Sequence, residues 1–515
     1  MIDGTFETHI TVRAHEGPAL RQFADEHGLK FLHIELDRGT WRSQPMLTLH
    51  GSGTLEAQQA VVREWCERLS AAGFAPQRSK IEATPWSAGV PETDADAKTE
   101  PADRYFEHHV KVRLSSARIV ELLAVTEVAE RHGARLSRNA RRRDSDGAQE
   151  RFVNQRCRHV GRQSAAERLD RLVEDFRAAG HEVVSAEQEY VVHDSHLDLD
   201  HGWLNPPTPP FYNSRYEDVR RVAPAGAAGY PVTYRPLPDG WEIEQRAAFD
   251  PALKQHGYAY RAGEPTFTDP ELGLRWQQAR RSALRHLLTV IGGSGAAEHL
   301  VLRGSAAMAA WFGAAAREPG DLDFVAIPAS MTSDSPAARA LLDDIVAAVT
   351  ARPGAGLRPA ETAESAIWTY ERADGRRLVI PFGAPGIPDG SVQIDVVFGE
   401  DLPIPASPIT VFGQRIFAAT AELSLAWKLM WLVTDGYPQG KDLYDAVLLA
   451  EYTTVDLGLV RELLRPELGG EADAFTAETV LNLPDIDWRN FTDEYPQVEG
   501  DGQHWLRRLA IALDR

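Results

Sequence analysis

The first two hundred residues carry the same pattern twice. Phe6-Glu7-Thr8-His9-Ile10-Thr11-Val12 returns as Phe106-Glu107-His108-His109-Val110-Lys111-Val112. His27-Gly28-Leu29-Lys30 returns as His132-Gly133-Ala134-Arg135, and Ala71-Ala72-Gly73-Phe74 as Ala178-Ala179-Gly180-His181. The offset drifts from 100 to 107 residues, the drift that small loop insertions produce. Thr8 to Val12 alternates as a strand does. Ala19 to His27 reads as a helix stopped by Gly28, and Leu55 to Ala72 as an amphipathic helix stopped by Gly73. Each copy therefore predicts strand, helix, strand, strand, helix, strand, a ferredoxin-like βαββαβ unit. The expected organisation is repeat 1 over residues 1–83, a linker over 84–104, and repeat 2 over 105–200. The linker is rich in Pro, Ala, Thr and acidic residues, with little to bury. The proline run from Asn205 to Pro210 punctuates the chain again. Residues 201–270 show no convincing period and read as an irregular connector, and 271–515 as a further domain of α+β class with a mixed sheet and a helical tail.

A chain of 515 residues exceeds what one core usually serves, which agrees with several domains. No apolar run is long enough to cross a bilayer, and the start, MIDGTFETHITV, lacks a basic segment followed by an apolar one. The expectation is a cytoplasmic protein without a membrane partner. Cys66 and Cys157 are the sole cysteines, too few for a disulfide framework or a cysteine zinc cluster. A net charge of −20 argues against a general nucleic-acid coat, because phosphate binding needs a basic surface. It still permits nucleoside triphosphates, whose charge is largely cancelled by Mg²⁺.

From residue 271 onward the periodicity sharpens. Leu274 to Ile291 predicts a helix with Leu284, Leu287, Leu288 and Ile291 on one face. His299 to Leu302 predicts a buried strand, Ala306 to Phe312 a helix, and Asp321 to Ile327 a strand. Pro336 to Val349, Ala421 to Val433 and Lys441 to Tyr452 predict helices; Arg377 to Ile380 and Val392 to Phe398 predict strands. Gly304-Ser305 stands where a strand turns into a helix. There Gly lets the backbone approach a phosphate, and the Ser hydroxyl and helix amides can bind phosphate oxygens. Asp321 and Asp323 sit two apart on a strand and so share one face, a spacing that lets two carboxylates share a divalent cation. Asp395, between Ile394 and Val396, needs a partner if buried, and can serve as a third carboxylate, either ligating a metal or acting as general base.

These residues give the C-terminal half a resemblance to the AbiEii/AbiGii-type nucleotidyltransferases, the toxin side of type IV toxin–antitoxin systems, within the DNA-polymerase-β-like superfamily. The first superfamily motif is Gly-Ser, a helix, then Asp-x-Asp, matched by Gly304, Ser305, Asp321 and Asp323. Lys428 within Ala421-Glu422-Leu423-Ser424-Leu425-Ala426-Trp427-Lys428 matches the helical lysine. Lys441-Asp442-Leu443-Tyr444-Asp445 matches the downstream basic motif, with Lys441 where many relatives have Arg. The resemblance spans roughly residues 275–455. It implies a nucleotidyltransferase fold and transfer of a nucleoside monophosphate from a nucleoside triphosphate to an RNA, protein or small-molecule acceptor. It further implies Mg²⁺ or Mn²⁺ held by Asp321, Asp323 and Asp395, one ion activating the attacking oxygen and another stabilising the leaving pyrophosphate. Ser305 and Lys428 would grip the triphosphate, with Lys441 and Asp442 as a second phosphate or acceptor contact and Asp445 orienting them. A toxin-like or phage-defence role with an antitoxin partner comes from the resemblance alone.

Other features of the first 201 residues have weaker readings. His9-Ile10-Thr11-Val12 is similar to the His-x-Thr-x motif of 2H phosphoesterases, but that chemistry needs two facing motifs. His109-Val110-Lys111-Val112 lacks the Thr, and Leu47-Thr48-Leu49-His50 does not supply it. Arg138, Arg141, Arg142 and Arg143 form a dense basic run with two readings, a contact for RNA phosphates or, the better of the two, a solvated loop paired with Asp144 and Asp146. His193, Asp194, His196, Asp198, Asp200 and His201 have the residue types of metal ligands but no regular ligand spacing, and read better as a polar linker. Two rivals to the transferase remain: a nucleotide-binding regulatory protein without turnover, and a phosphoesterase centred on the N-terminal repeats. In the leading reading those repeats recognise the acceptor or a partner.

Overall fold

The computed structural model describes residues 2–116, 118–140, 149–204, 236–245, 247–250, 260–367, 374–483 and 486–515. The proline run to Pro210, much of the connector, and Arg141, Arg142, Arg143, Asp144 and Asp146 lie outside the described residues. The chain divides into two compact units, 1–209 and 210–515.

In the first unit, β1 (Asp3–Thr11), α1 (Gly17–His27), β2 (Lys30–Leu36), β3 (Ser43–Thr54), α2 (Leu55–Ala71) and β4 (Arg78–Ala83) are followed by the same series. The second series is β5 (Tyr105–Leu114), α3 (Ile119–Arg131), β6 (Arg135–Asn139), β7 (Gln149–Arg158), α4 (Arg162–Ala178) and β8 (Glu182–Asp194). Helix boundaries follow local chemistry. Gly28 ends α1 at φ +66°, a left-handed conformation that favours glycine, and the Thr54 hydroxyl accepts the Ala57 amide to start α2. The strands run β4-β1-β3-β2 and β8-β5-β7-β6, all antiparallel, and β2 pairs with β6 and β4 with β8. One closed eight-stranded barrel results, so neither repeat keeps a free sheet edge. Phe6 and Ile10 face outward into a core with Leu20, Ala24, Val62 and Leu69 of the covering helices. By alternation Glu7 and His9 face the barrel interior.

Two expectations change here. Residues 84–104 do not behave as a loose linker. Asp3 and Ala88 exchange backbone bonds of 3.1 and 2.8 Å, Ala97 is buried, and Asp94 accepts the Gly161 amide at 2.8 Å. The stretch from His193 to His201 is not a polar linker either. Asp194 accepts from Arg78 Nε at 2.9 Å, and Asp200 from Arg78 Nη1 at 3.0 Å and Arg156 Nη2 at 2.6 Å; Arg78, Asp194 and Asp200 are buried and Arg156 is half-buried. The partners come from β4 and β7, which sequence spacing could not reveal. Arg138 of the basic run pairs with Glu35 at 2.6 Å, and both cysteines are free thiols.

In the second unit, what is described of the connector contains two short antiparallel pairs, Ile243–Glu244 with Thr266–Phe267 and Ala247–Phe249 with Tyr260–Ala262, rather than irregular chain alone. Then follow α5 (Pro270–Gly292), β9 (Leu300–Arg303), α6 (Ser305–Phe312), β10 (Asp321–Ala326) and α7 (Pro336–Ala351). Next come β11 (Ala363–Ala366), β12 (Asp374–Phe382), β13 (Gly390–Phe398), β14 (Ser407–Val411) and β15 (Gln414–Ala418). Helices α8 (Ala421–Thr434), α9 (Gly440–Tyr452), α10 (Leu457–Leu468) and α11 (Gly502–Leu513) form most of the tail. The mixed sheet runs β11-β12-β13-β10-β9-β15-β14, with β10 parallel to β13 and antiparallel to β9. Leu284, Leu287, Leu288 and Ile291 of α5 pack with Leu302, Phe324, Ile380 and Ile394. Val301 and Val325 of the same strands pack with Leu423 and Trp427 of α8. Full burial of each such side chain contributes about 1.5–3 kcal/mol, so both faces of the sheet are firmly held.

Candidate active site

The site forms where the central strands of the second unit end. Leu300, Val301 and Leu302 are buried and anchor β9, which delivers Gly304 to the start of α6. Gly304 has φ +73° and ψ −153°, a region closed to side chains. A Cβ there would lie 2.1 Å from Asp323 Oδ2, so Asp323 packs directly on the Gly304 backbone. Register does the rest. Asp323 stands beside Arg303 on one side and Asp395 on the other, and Asp321 stands beside Gln393. Asp321, Asp323 and Asp395 each offer a carboxylate oxygen, and the three lie within 4.8 Å of one another.

Their hydrogen bonds are specific. Ser305 Oγ donates to Asp321 Oδ1 at 3.2 Å. Gln393 Nε2 donates to Asp321 Oδ2 at 3.2 Å and to Asp395 Oδ2 at 3.3 Å. The partner that a buried Asp395 requires is Arg377, its register neighbour on β12, whose guanidinium donates to both oxygens at 2.8 Å. Burial, then the charges of Asp321 and Asp395, hold the Asp323 carboxyl well above the ordinary carboxylate range. Burial also raises Asp395, against the opposing pull of Arg377. Such mutually repelling carboxylates favour either a shared proton or a bound cation.

A second charged group sits beside them. Lys428, buried on α8, donates to Asp442 Oδ1 at 2.7 Å and lies 3.2 Å from Asp445 Oδ2. Asp445 also receives a two-pronged contact from Arg317 at 3.1 and 2.7 Å. Burial opposes charge on Lys428, but Asp442 and Asp445 outweigh it and raise the ammonium above its usual value. Burial would raise Asp445 too, yet Arg317 and Lys428 hold it below its usual value. Lys428 and Asp442, both expected as phosphate contacts, are engaged with each other here. Lys441, by contrast, has no ion-pair partner among the described residues. The segment between α6 and β10 is pinned by Arg317 and by the Tyr444 hydroxyl, which donates to the Ala315 carbonyl at 2.7 Å, so its length serves to carry Arg317 inward.

Gly304, Ser305, Asp321, Asp323, Asp395, Lys428, Lys441 and Asp442 all line one cleft of about 1060 Å³. Arg303 closes part of its wall, paired with Glu400 at 2.7 Å and lying over the rings of Trp427 and Trp431. Arg317, Arg377 and Gln393 line the cleft without having been singled out in the sequence. Gln393, two residues before Asp395 on one strand face, carried a usable signal. Arg377 and Arg317 carried none, because only strand register and the fold of α9 bring them in.

Residues 286–514 match the family model described as Nucleotidyl transferase AbiEii toxin, Type IV TA system. The C-terminal half resembles the AbiEii-type nucleotidyltransferases. The AbiEii match begins within α5 and runs through the tail helices, so it contains every side chain of the carboxylate cluster. It supports transferase activity in general and a toxin-type nucleotidyltransferase. No curated protein matches. Among solved structures, the chain is similar to a mutant chlorite dismutase from Candidatus Nitrospira defluvii at 13% identity, covering 38% of this chain and 93% of that one, with a TM-score of 0.14. A second mutant of that dismutase shows 12% identity, the same coverages and a TM-score of 0.15. At these scores the likeness carries no structural argument.

In the first unit, His9 is engaged by Thr48 Oγ1 at 2.9 Å and Glu82 at 3.1 Å. Its counterpart His109 is engaged by Asn154 at 2.8 Å and Glu189 at 3.3 Å. Two facing His-x-Thr pairs are not assembled among the described residues.

Proposed function

We propose that the C-terminal cleft is a metal-dependent nucleotidyltransferase site that moves a nucleoside monophosphate from a nucleoside triphosphate to an RNA, protein or small-molecule acceptor. The convergence of Asp321, Asp323 and Asp395 behind the Gly304-Ser305 turn carries this reading. An all-oxygen donor set of three carboxylates fits Mg²⁺ or Mn²⁺. The bound cation supplies neutralisation of triphosphate charge. The protein's own groups do the remaining work. The first amides of α6 and the Ser305 hydroxyl bind phosphate oxygens at the helix N-terminus. Arg377 and Gln393 fix the rotamer of Asp395, which serves as an oriented ligand more than as a free base. Lys428, held by Asp442 and Asp445, sets the positive field of the wall, and Lys441, without an ion-pair partner among the described residues, reaches for phosphate or acceptor. The acceptor oxygen bonds to the α-phosphorus while the bond to the pyrophosphate oxygen breaks.

The same reading extends to the biology: a toxin-like or phage-defence enzyme of the cytoplasm, paired with an antitoxin. The first unit, with strand orders β4-β1-β3-β2 and β8-β5-β7-β6, is read as two ferredoxin-like repeats that recognise the acceptor or a partner. Incubation with labelled triphosphates, Mg²⁺ or Mn²⁺ and cell extract tests the enzyme assignment. Labelling that survives both Asp321→Ala and Asp323→Ala would sink it. Triphosphate binding without any transfer would favour a regulatory nucleotide-binding protein.

A further inference from the structure

Strands β1, β4, β8 and β5 are consecutive around the barrel, and the donor residues they project toward its interior include His9, Glu82, Glu189 and His109. His9 Nε2 lies 3.1 Å from Glu82 Oε2, and His109 Nε2 lies 3.3 Å from Glu189 Oε2. Glu82, His109 and Glu189 each present a ligand atom within 4.8 Å of the other two. The two His/Glu pairs are the equivalent positions of the two repeats, and they meet across the β4–β8 seam. At that seam the ladder skips a residue between Ile81 and Glu82, a break of the kind that re-aims side chains at binding sites.

The far nitrogen of each imidazole is already committed. His9 Nδ1 meets Thr48 Oγ1 at 2.9 Å, and His109 Nδ1 meets Asn154 Oδ1 at 2.8 Å. Asn154 Nδ2 is spent on Ser137 Oγ at 2.8 Å, so Asn154 Oδ1 accepts, and His109 Nδ1 carries the proton. That leaves Nε2 of each ring as the atom aimed at the carboxylates, where a cation would take the place of its proton, as in metal sites whose histidines are held through their other nitrogen. Among the described residues, Lys80 is the one barrel Lys or Arg that pairs with a member of this cluster. Lys80 pairs with Glu107 and with Glu82 Oε1 at 2.6 Å. Arg156 pairs with Glu107 and Asp200, and Arg78 with Asp194 and Asp200. No Lys or Arg pairs with Glu189 among the described residues, and the solvent-sealed oxygens of Glu82 receive no well-formed hydrogen bond.

We propose that His109, Glu82 and Glu189, with His9 as a fourth ligand, form a binding site for a divalent first-row transition metal that clasps the two repeats together. Mixed imidazole and carboxylate donors in fourfold number suit Zn²⁺ and its neighbours and disfavour Mg²⁺. The site therefore differs in chemistry from the all-carboxylate cluster of the C-terminal cleft. His9, Glu189 and His109 keep 15, 21 and 24% exposure, which leaves a route for an ion to enter.

The test uses the full chain carrying Asp321→Asn and Asp323→Asn, so that the other cluster is silent. The protein is stripped with chelator, reloaded with Zn²⁺, desalted and analysed for metal. One retained equivalent is expected, together with a Zn²⁺-dependent rise in Tm that Mg²⁺ does not reproduce. His109→Gln and Glu189→Gln should each lose that equivalent and the rise in Tm. Co²⁺ loading should give the absorption of a tetrahedral nitrogen–oxygen site in the parent, which keeps the test decisive if a variant fails to fold. No equivalent and no Co²⁺ spectrum in the parent, or full retention in both variants, overturns the proposal.

Discussion

Gly304→Ala is the smallest change that should disable the cleft. The new Cβ would stand 2.1 Å from Asp323 Oδ2 and 2.9 Å from Asp323 Cγ, where ordinary contact needs about 3.4 Å or more. Asp323 must therefore retreat by more than about 1 Å, and displacement of a reacting constellation by that much costs on the order of 10²-fold in rate. Alanine must also adopt φ +73°, ψ −153°, a strain of about 1–3 kcal/mol. For a unit of this size that strain lowers Tm by a few degrees and leaves the protein folded at 25 °C. The assay pairs a thermal melt with the kcat for label transfer from an α-labelled triphosphate. A fall in kcat of about a hundredfold or more beside a modest Tm change is expected. Wild-type kcat in Gly304→Ala would refute the close packing of Asp323 on residue 304 as a requirement of the site.

Arg377→Met removes the fork that holds Asp395. Stripping one partner from such a buried pair costs about 3–5 kcal/mol, readable as a lower urea midpoint, and Mn²⁺ should then bind only at higher pH. Binding of Mn²⁺ to the wild type should strengthen with pH by up to about tenfold per unit while Asp323 remains protonated. The sign follows from its raised pKa: the proton is favoured in the metal-free fold, the fold is weakened as pH rises through that value, and the cation must displace the proton. Calorimetry in two buffers of different ionisation enthalpy reads the released proton, which Asp323→Asn should lack. Asp445, held low by Arg317 and Lys428, supports the fold above its unfolded value of about 3.9 and loses that support as pH falls. Asp445→Asn should therefore be less stable near neutrality and show a flatter acid limb in urea titrations at stepped pH.

Much of the second unit was legible because its signals are local. Alternation marked β10 and β13, helical period marked α5, α7, α8 and α9, and the Gly304-Ser305 turn lay at a strand-to-helix junction. Because β10 and β13 pair in parallel with Asp323 beside Asp395, two residues read separately became one cluster. Strands β14 and β15 were missed: they are short, and Gln414, Arg415 and Phe417 dilute their alternation. Arg317 and Arg377 were illegible because their meaning lies in partners 128 and 18 residues away. For the same reason the sequence could hint at two repeated units but not at a closed barrel. Closure depends on β2 meeting β6 and β4 meeting β8, and on Arg78 finding Asp194, contacts that no spacing within one repeat encodes.

The most direct test of the central claim follows the fate of two labels. Wild type and Asp321→Asn/Asp323→Asn are incubated with Mn²⁺, cell extract and a nucleoside triphosphate labelled at either its α- or its γ-phosphate. The account predicts that α-label becomes attached to an acceptor, that γ-label leaves as pyrophosphate, and that the double variant does neither. Transfer of γ-label to the acceptor, or α-label transfer undiminished in the double variant, would contradict it.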